Sequence, residues 1–223
     1  MIRGTAQIVA YNTTQFPFQS IMQQYVLSRY PVTLPMLHRV FPSCPVVGVS
    51  NDQATPILAF LYGCDPLYQH GSPGSWHACY LKFVRWLADT TFQESLVYQR
   101  KPTLRCQMPN NKSVGDFHRD SDYGHPPEEW NCFIPLTDCR DSMTIHIESS
   151  PDRGDYAPQQ LAYGDCLIFD SALRHGNIMN TENLTRLSFD FRVIPISQYR
   201  GGCSTASHTQ GIPFRIGEYY DVL

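Results

Sequence analysis

The chain has 223 residues, 42% hydrophobic and 13% aromatic, with 17 basic and 20 acidic side chains giving a net charge of −3. That length supports one substantial core rather than two, and the composition is globular rather than disordered. The absence of a lysine–arginine cluster excludes the usual nucleic-acid binder, and the absence of an apolar run near ~20 residues excludes a helical membrane span.

Met1-Ile2-Arg3-Gly4-Thr5 lacks the apolar segment of a signal peptide, so a cytoplasmic location is expected. The cysteines (Cys44, Cys64, Cys79, Cys106, Cys132, Cys139, Cys166, Cys203) are scattered, without a C-x-x-C pair. Several lie within apolar runs, as buried free thiols of a reducing compartment do. The sequons at Asn12, Asn111 and Asn183 read as chance occurrences.

Residues 1–75 are rich in proline. Phe18, Met22, Tyr25 and Val26 have helical spacing and predict a short helix over Phe16–Arg29, ending before Pro31. The four prolines of Pro31–Pro45 predict an extended loop with one edge strand. A second helix is expected over Asp52–Tyr62, capped by Asp52 and followed by Gly63, and then a surface loop over Tyr68–Ser75. The strongest helical pattern is Trp76–Asp89, where Trp76, Tyr80, Val84 and Leu87 mark one face.

After Thr90-Thr91 the texture becomes short β-type runs: Leu96–Tyr98, Thr103–Gln107, Trp130–Leu136, Thr144–Glu148, Asp165–Phe169 and Leu187–Ile194. Turn residues such as Pro109-Asn110-Asn111, Pro126-Pro127 and Pro151-Asp152-Arg153-Gly154 separate them. Many short strands at this spacing predict a mainly β fold with supporting helices, a sandwich or jelly roll. No repeat or linker divides the chain. The expectation is one domain over 1–223: helical and loop support to about residue 94, a β core over about 95–196, and a C-terminal extension over 197–223.

The last long strand is the most informative. Leu187, Phe189, Phe191 and Val193 point one way and Arg186, Ser188, Asp190 and Arg192 the other. The apolar side suits packing on helices. A buried face this polar is costly in an inert core and so predicts a site.

His118 and Asp120, one residue apart, together with His175 make the two-imidazole, one-carboxylate set suited to iron(II) with open positions for other ligands. Taken alone, H-x-D is a weak signal; followed in order by Gly164-Asp165, His175-Gly176 and Arg186-x-Ser188 it becomes specific. Arg186 lies eleven residues beyond His175 and offers a two-pronged donor for the far carboxylate of 2-oxoglutarate, with the Ser188 hydroxyl on the same face. The remaining open position is left for dioxygen. Asn131 is a candidate to support a ligand or to bind the cosubstrate. Tyr123, His125, Arg105, Gln107 and Arg192 are candidates to line the substrate cavity.

The segments His118–His125, Trp130–Thr137, Glu148-Ser149, Gly154–Tyr156 and Arg186–Pro195 resemble the 2-oxoglutarate/iron(II) oxygenase superfamily, and within it the streptomycin-biosynthesis-type branch near the phytanoyl-CoA hydroxylase-like enzymes. The resemblance covers roughly residues 95–196. It implies a double-stranded β-helix (a cupin-like jelly roll), iron at His118, Asp120 and His175, and 2-oxoglutarate at Arg186 and Ser188. The implied activity is hydroxylation or another C–H oxidation of a small polar metabolite or natural-product intermediate, with release of succinate and carbon dioxide. Asp120 fills the position that iron halogenases of this architecture leave to chloride, which disfavours halogenation. One departure is Cys132, where the family pattern carries an aromatic residue after the asparagine.

Two rival readings differ in class. A cupin-type dioxygenase or isomerase without a 2-oxo acid would want H-x-H in place of H-x-D. A non-catalytic jelly roll would have no use for the ligand set and the arginine together.

Overall fold

The computed structural model describes residues 1–41, 55–62, 75–112, 116–201, 205–207 and 211–223. Two antiparallel sheets face each other in a jelly roll, and helices cover the outer face of the larger one. The larger sheet runs β1 (Ala6–Ala10), β7 (Asp165–Asp170), β4 (Trp130–Pro135), β9 (Arg186–Pro195), β2 (Leu96–Gln99) and β10 (Tyr220–Val222), with β3 (Thr103–Gln107) also beside β9. The smaller sheet has the order β6 (Ala157–Pro158), β5 (His146–Ile147) and β8 (His175–Gly176).

Strand β9 bears out the alternation read from its residues. Leu187, Phe189, Phe191 and Val193 join one apolar cluster with helices α1 (Phe18–Leu27), α2 (Pro56–Tyr62) and α3 (Trp76–Leu87). Phe189 meets Phe18 at 5.0 Å and Trp76 at 4.7 Å between ring centroids, both edge-on. Each such ring contributes roughly 1.5–3 kcal/mol by burial, and the edge contacts add about 0.5–1.5 kcal/mol. A second apolar cluster, including Phe133, Leu167, Phe169, Ile145 and Ile147, fills the space between the sheets. The polar side of β9 faces that same interior, and all ten of its residues are buried.

Helix α1 lies within its expected span, and Met22 and Val26 are buried on it. Helix α3 starts where Ser75 accepts a hydrogen bond from the Ala78 N–H at 3.1 Å, as an N-cap does. It passes into a π turn over Ala88–Phe92 and ends at Gln93, whose φ is +58°. Helix α2 begins at Pro56; the expected cap Asp52, Gly63 and the loop over 68–74 lie outside the described residues.

Some expectations were not met. Of Pro31–Pro45, the described part forms a 3-10 helix over Leu34–Arg39 rather than an edge strand, because Leu34 and Leu37 turn into the core. The sheet also takes in β1 and β10, which the pattern did not announce. The five described cysteines, Cys79, Cys106, Cys132, Cys139 and Cys166, are buried. Among the described residues no helix is long and apolar enough to cross a membrane.

Candidate metal centre

The two imidazoles are brought together by the backbone. The His118 N–H donates to the His175 carbonyl at 3.0 Å and the His175 N–H returns the bond to His118 at 2.9 Å. Residue 118 thereby extends the smaller sheet past β8, and the rings sit 4.7 Å apart. So close an approach leaves a tight fit at the next position: a Cβ on Gly176 would lie 3.1 Å from the Phe117 Cα and N. A side chain in place of the glycine of the His-Gly pair would press on the Phe117 backbone.

Asp120 opens a 3-10 turn over Asp120–Tyr123 that Gly124 closes with φ +78°. The turn aims its carboxylate between the imidazoles. One ligand atom from each of His118, Asp120 and His175 lies within 4.8 Å of the others. The Asp120 Oδ1 is 3.9 Å from His118 Nε2 and 3.6 Å from His175 Nε2.

Each ring is also set in the tautomer a metal needs. His118 Nδ1 lies 2.6 Å from the Asp116 carbonyl and His175 Nδ1 lies 3.0 Å from the Leu173 carbonyl. A carbonyl only accepts, so Nδ1 carries the proton and the Nε2 lone pair points into the cluster. Burial, reinforced by His175, holds the His118 pKa down to about 4, which keeps the ring neutral near pH 7. Burial by itself would raise the Asp120 pKa. Arg192, His175, His125 and the Asn131 hydrogen bond outweigh it, and the carboxyl stays ionised well below its usual range.

Asn131 and Arg192 come from paired positions on β4 and β9 and reach the same carboxylate. The Asn131 amide donates to Asp120 Oδ2 at 2.6 Å, and Arg192 Nη2 is 3.6 Å from Oδ1. Asn131 thus supports the ligand through one of its two amide N–H groups. For Asn131→Ala we expect metal affinity to fall by about 10–100-fold, the usual cost of losing a group that orients a ligand, as an iron titration would measure.

Farther along the inner face of β9, Arg186 is 1% exposed. Its Nε and Nη2 atoms and the Ser188 Oγ have no hydrogen-bond partner among the described residues. The guanidinium carbon stands 5.7 Å over the Phe133 ring. Burial lowers the Arg186 pKa, as expected for a cation without a counter-charge. A buried fork donor with nothing to bind is costly, and a carboxylate would satisfy it.

The expected substrate contacts are mostly committed elsewhere. Arg105 Nε pairs with Asp190 Oδ1 at 2.7 Å, and Arg192 bonds the other oxygen of Asp190. The Gln107 amide donates to the Ile178 carbonyl at 2.7 Å, while its Oε1 is buried without a partner among the described residues. His125 Nδ1 is 2.8 Å from Glu129 Oε2. Tyr123 stands edge-on to His118, with ring centroids 4.8 Å apart, and stays 43% exposed. These pairings arise across strands and loops, where sequence position alone gives no register.

Sequence reading also missed Glu129 and Tyr219. Glu129 is fully buried and accepts a hydrogen bond from the Tyr220 hydroxyl of β10. Its four-residue spacing from His125 was the only available signal. Tyr219 had none.

No protein-family profile matches the chain. It is 37% identical over 131 residues to the streptomycin biosynthesis protein StrG of Streptomyces griseus, which spans 58% of this chain and 62% of that protein. The match therefore takes in less than two thirds of that relative's length. Among solved structures, it is similar to the non-haem alpha-ketoglutarate-dependent epimerase SnoN from nogalamycin biosynthesis, with a TM-score of 0.56, 14% identity, and coverage of 99% of this chain and 94% of that one. The alpha-ketoglutarate-dependent carbocyclase SnoK from the same biosynthesis gives a TM-score of 0.50 at 11% identity, covering 99% and 92%.

Proposed function

We propose that this chain, which has the fold of the non-haem 2-oxoglutarate-dependent enzymes, is itself an iron(II)/2-oxoglutarate-dependent oxygenase that oxidises a C–H bond of a small polar molecule. The carrying observation is the unpartnered Arg186 guanidinium and Ser188 hydroxyl on the inner face that also holds the His118–Asp120–His175 cluster. The donor set suits iron(II), and the orphaned donors suit the distal carboxylate of 2-oxoglutarate. When bound, iron activates dioxygen and the 2-oxo acid supplies two electrons as it is cleaved to succinate and carbon dioxide.

The residues of the chain orient these partners. His118 and His175 present fixed Nε2 lone pairs, and Asn131 and Arg192 hold the Asp120 carboxylate in place. Arg186 and Ser188 would take the far end of the cosubstrate. The apolar residues between the sheets, Phe133, Leu167 and Phe169 among them, exclude water from that end.

A metal enzyme of cupin type without a 2-oxo acid gives no role to Arg186 or Ser188. Anaerobic titration separates the two: adding 2-oxoglutarate to iron-loaded protein is expected to raise a visible metal-to-ligand band. Iron-loaded protein that stays colourless at saturating 2-oxoglutarate would overturn the proposal.

A further inference from the structure

Arg186 aside, the buried arginines and aspartates on the inner face are already matched to one another. Asp190 is held between Arg105 and Arg192, and Arg192 reaches on to Asp120. Glu129 is closed off by the Tyr220 hydroxyl and His125. An anionic substrate would need a further cation, and a protonated amine a further carboxylate. Within this interior the described residues offer neither.

Neutral groups remain. His125 Nδ1 is taken up by Glu129 Oε2 at 2.8 Å, and its Nε2 has no hydrogen-bond partner among the described residues. His125 follows the metal-binding turn directly, and its N–H donates to the Asp120 carbonyl at 3.3 Å. The Tyr219 ring stands edge-on to that of His125, with centroids 5.9 Å apart. Its hydroxyl likewise forms no hydrogen bond with a described residue. The half-exposed Tyr123 ring borders the cluster beside His118.

We propose that the substrate is a neutral, polyhydroxylated small molecule, held through hydroxyl groups by Tyr219 Oη and His125 Nε2, with the Tyr123 ring covering a C–H face. Hydroxyls both donate and accept, which suits a phenol beside an imidazole nitrogen, and an aromatic ring suits the apolar face of a saturated ring. This inference rests on the oxygenase reading. His125 and Tyr219 are then substrate contacts, and Glu129 and Tyr220 are positioning residues that fix the His125 ring.

The test uses the full chain loaded with iron and 2-oxoglutarate. A panel of unprotected cyclitols and aldoses is compared with the same panel fully O-methylated, reading 2-oxoglutarate consumption. At least one unprotected member is expected to stimulate consumption and its methylated counterpart to fail, because a site built for hydroxyls rejects analogues lacking them. Tyr219→Phe removes only an atom without a hydrogen bond, so the fold should persist. For that variant the KM of the active polyol should rise about tenfold, the worth of one neutral hydrogen bond, with the 2-oxoglutarate band still forming. His125→Gln is expected to raise the same KM.

Absence of stimulation by any polyol, with the band formed, would overturn this inference alone. Stimulation with KM unchanged in both variants would overturn the assigned contacts. If wild-type protein forms no band, the oxygenase reading falls and this inference with it.

Discussion

Replacing His118 or Asp120 by alanine is expected to abolish succinate formation while leaving the protein folded. Loss of a group that merely orients a ligand already costs about 10–100-fold in metal affinity, and loss of one of three ligands must cost more. The fold should survive for a local reason. His118 joins the smaller sheet through its backbone, which alanine preserves. Removing the Asp120 carboxylate leaves Arg192 still bonded to Asp190, so that cation keeps one carboxylate partner. Circular dichroism should therefore match wild type while iron binding and turnover are lost. Undiminished succinate production by either variant would remove these residues from the site.

Arg186→Ala is expected to raise the KM for 2-oxoglutarate far more than it changes any other property. Two charge-assisted hydrogen bonds to a carboxylate are worth about 2–4 kcal/mol here, or roughly 30- to 1000-fold in affinity. Arg186→Lys should recover only part of this, because an ammonium keeps the charge but lacks the planar fork. A calorimetric companion is available. Ligand that binds only the folded form raises the thermal midpoint, so 2-oxoglutarate should stabilise iron-loaded wild type and not the alanine variant at the same concentration. An unchanged KM would move the carboxylate-binding role to another residue.

The parts of this architecture that could be read from sequence are those encoded by periodicity or by short spacing. The alternation along Arg186–Pro195 announced both an apolar and a polar face, and the buried strand shows both. His118, Asp120 and His175 were legible because H-x-D, H-G and R-x-S occur in order, and their ligand atoms do converge. What was illegible depends on partners distant in the chain. Strand β1 is a five-residue, largely exposed edge, so burial leaves little pattern in Ala6–Ala10. Strands β5, β6 and β8 have two residues each and exist only through their neighbours. The commitment of Arg105 and Arg192 to Asp190 follows from the register of β3 on β9, which no local feature fixes. Glu129 sits in an ordinary-looking acidic doublet, and its burial is decided by Tyr220 at the far side of the sheet.

No two neighbours in the larger sheet are consecutive strands: β1 meets β7, β7 meets β4, β4 meets β9, and β9 meets β2 and β3. Every pairing therefore closes a long stretch of polypeptide before any contact rewards it, the circumstance that slows folding most. His118 and His175 lie on either side of β4 and β7 in the chain, so their nitrogens converge only once the tertiary frame has formed. On this view the ion is a late arrival that settles into a finished cradle and plays no part in nucleating it.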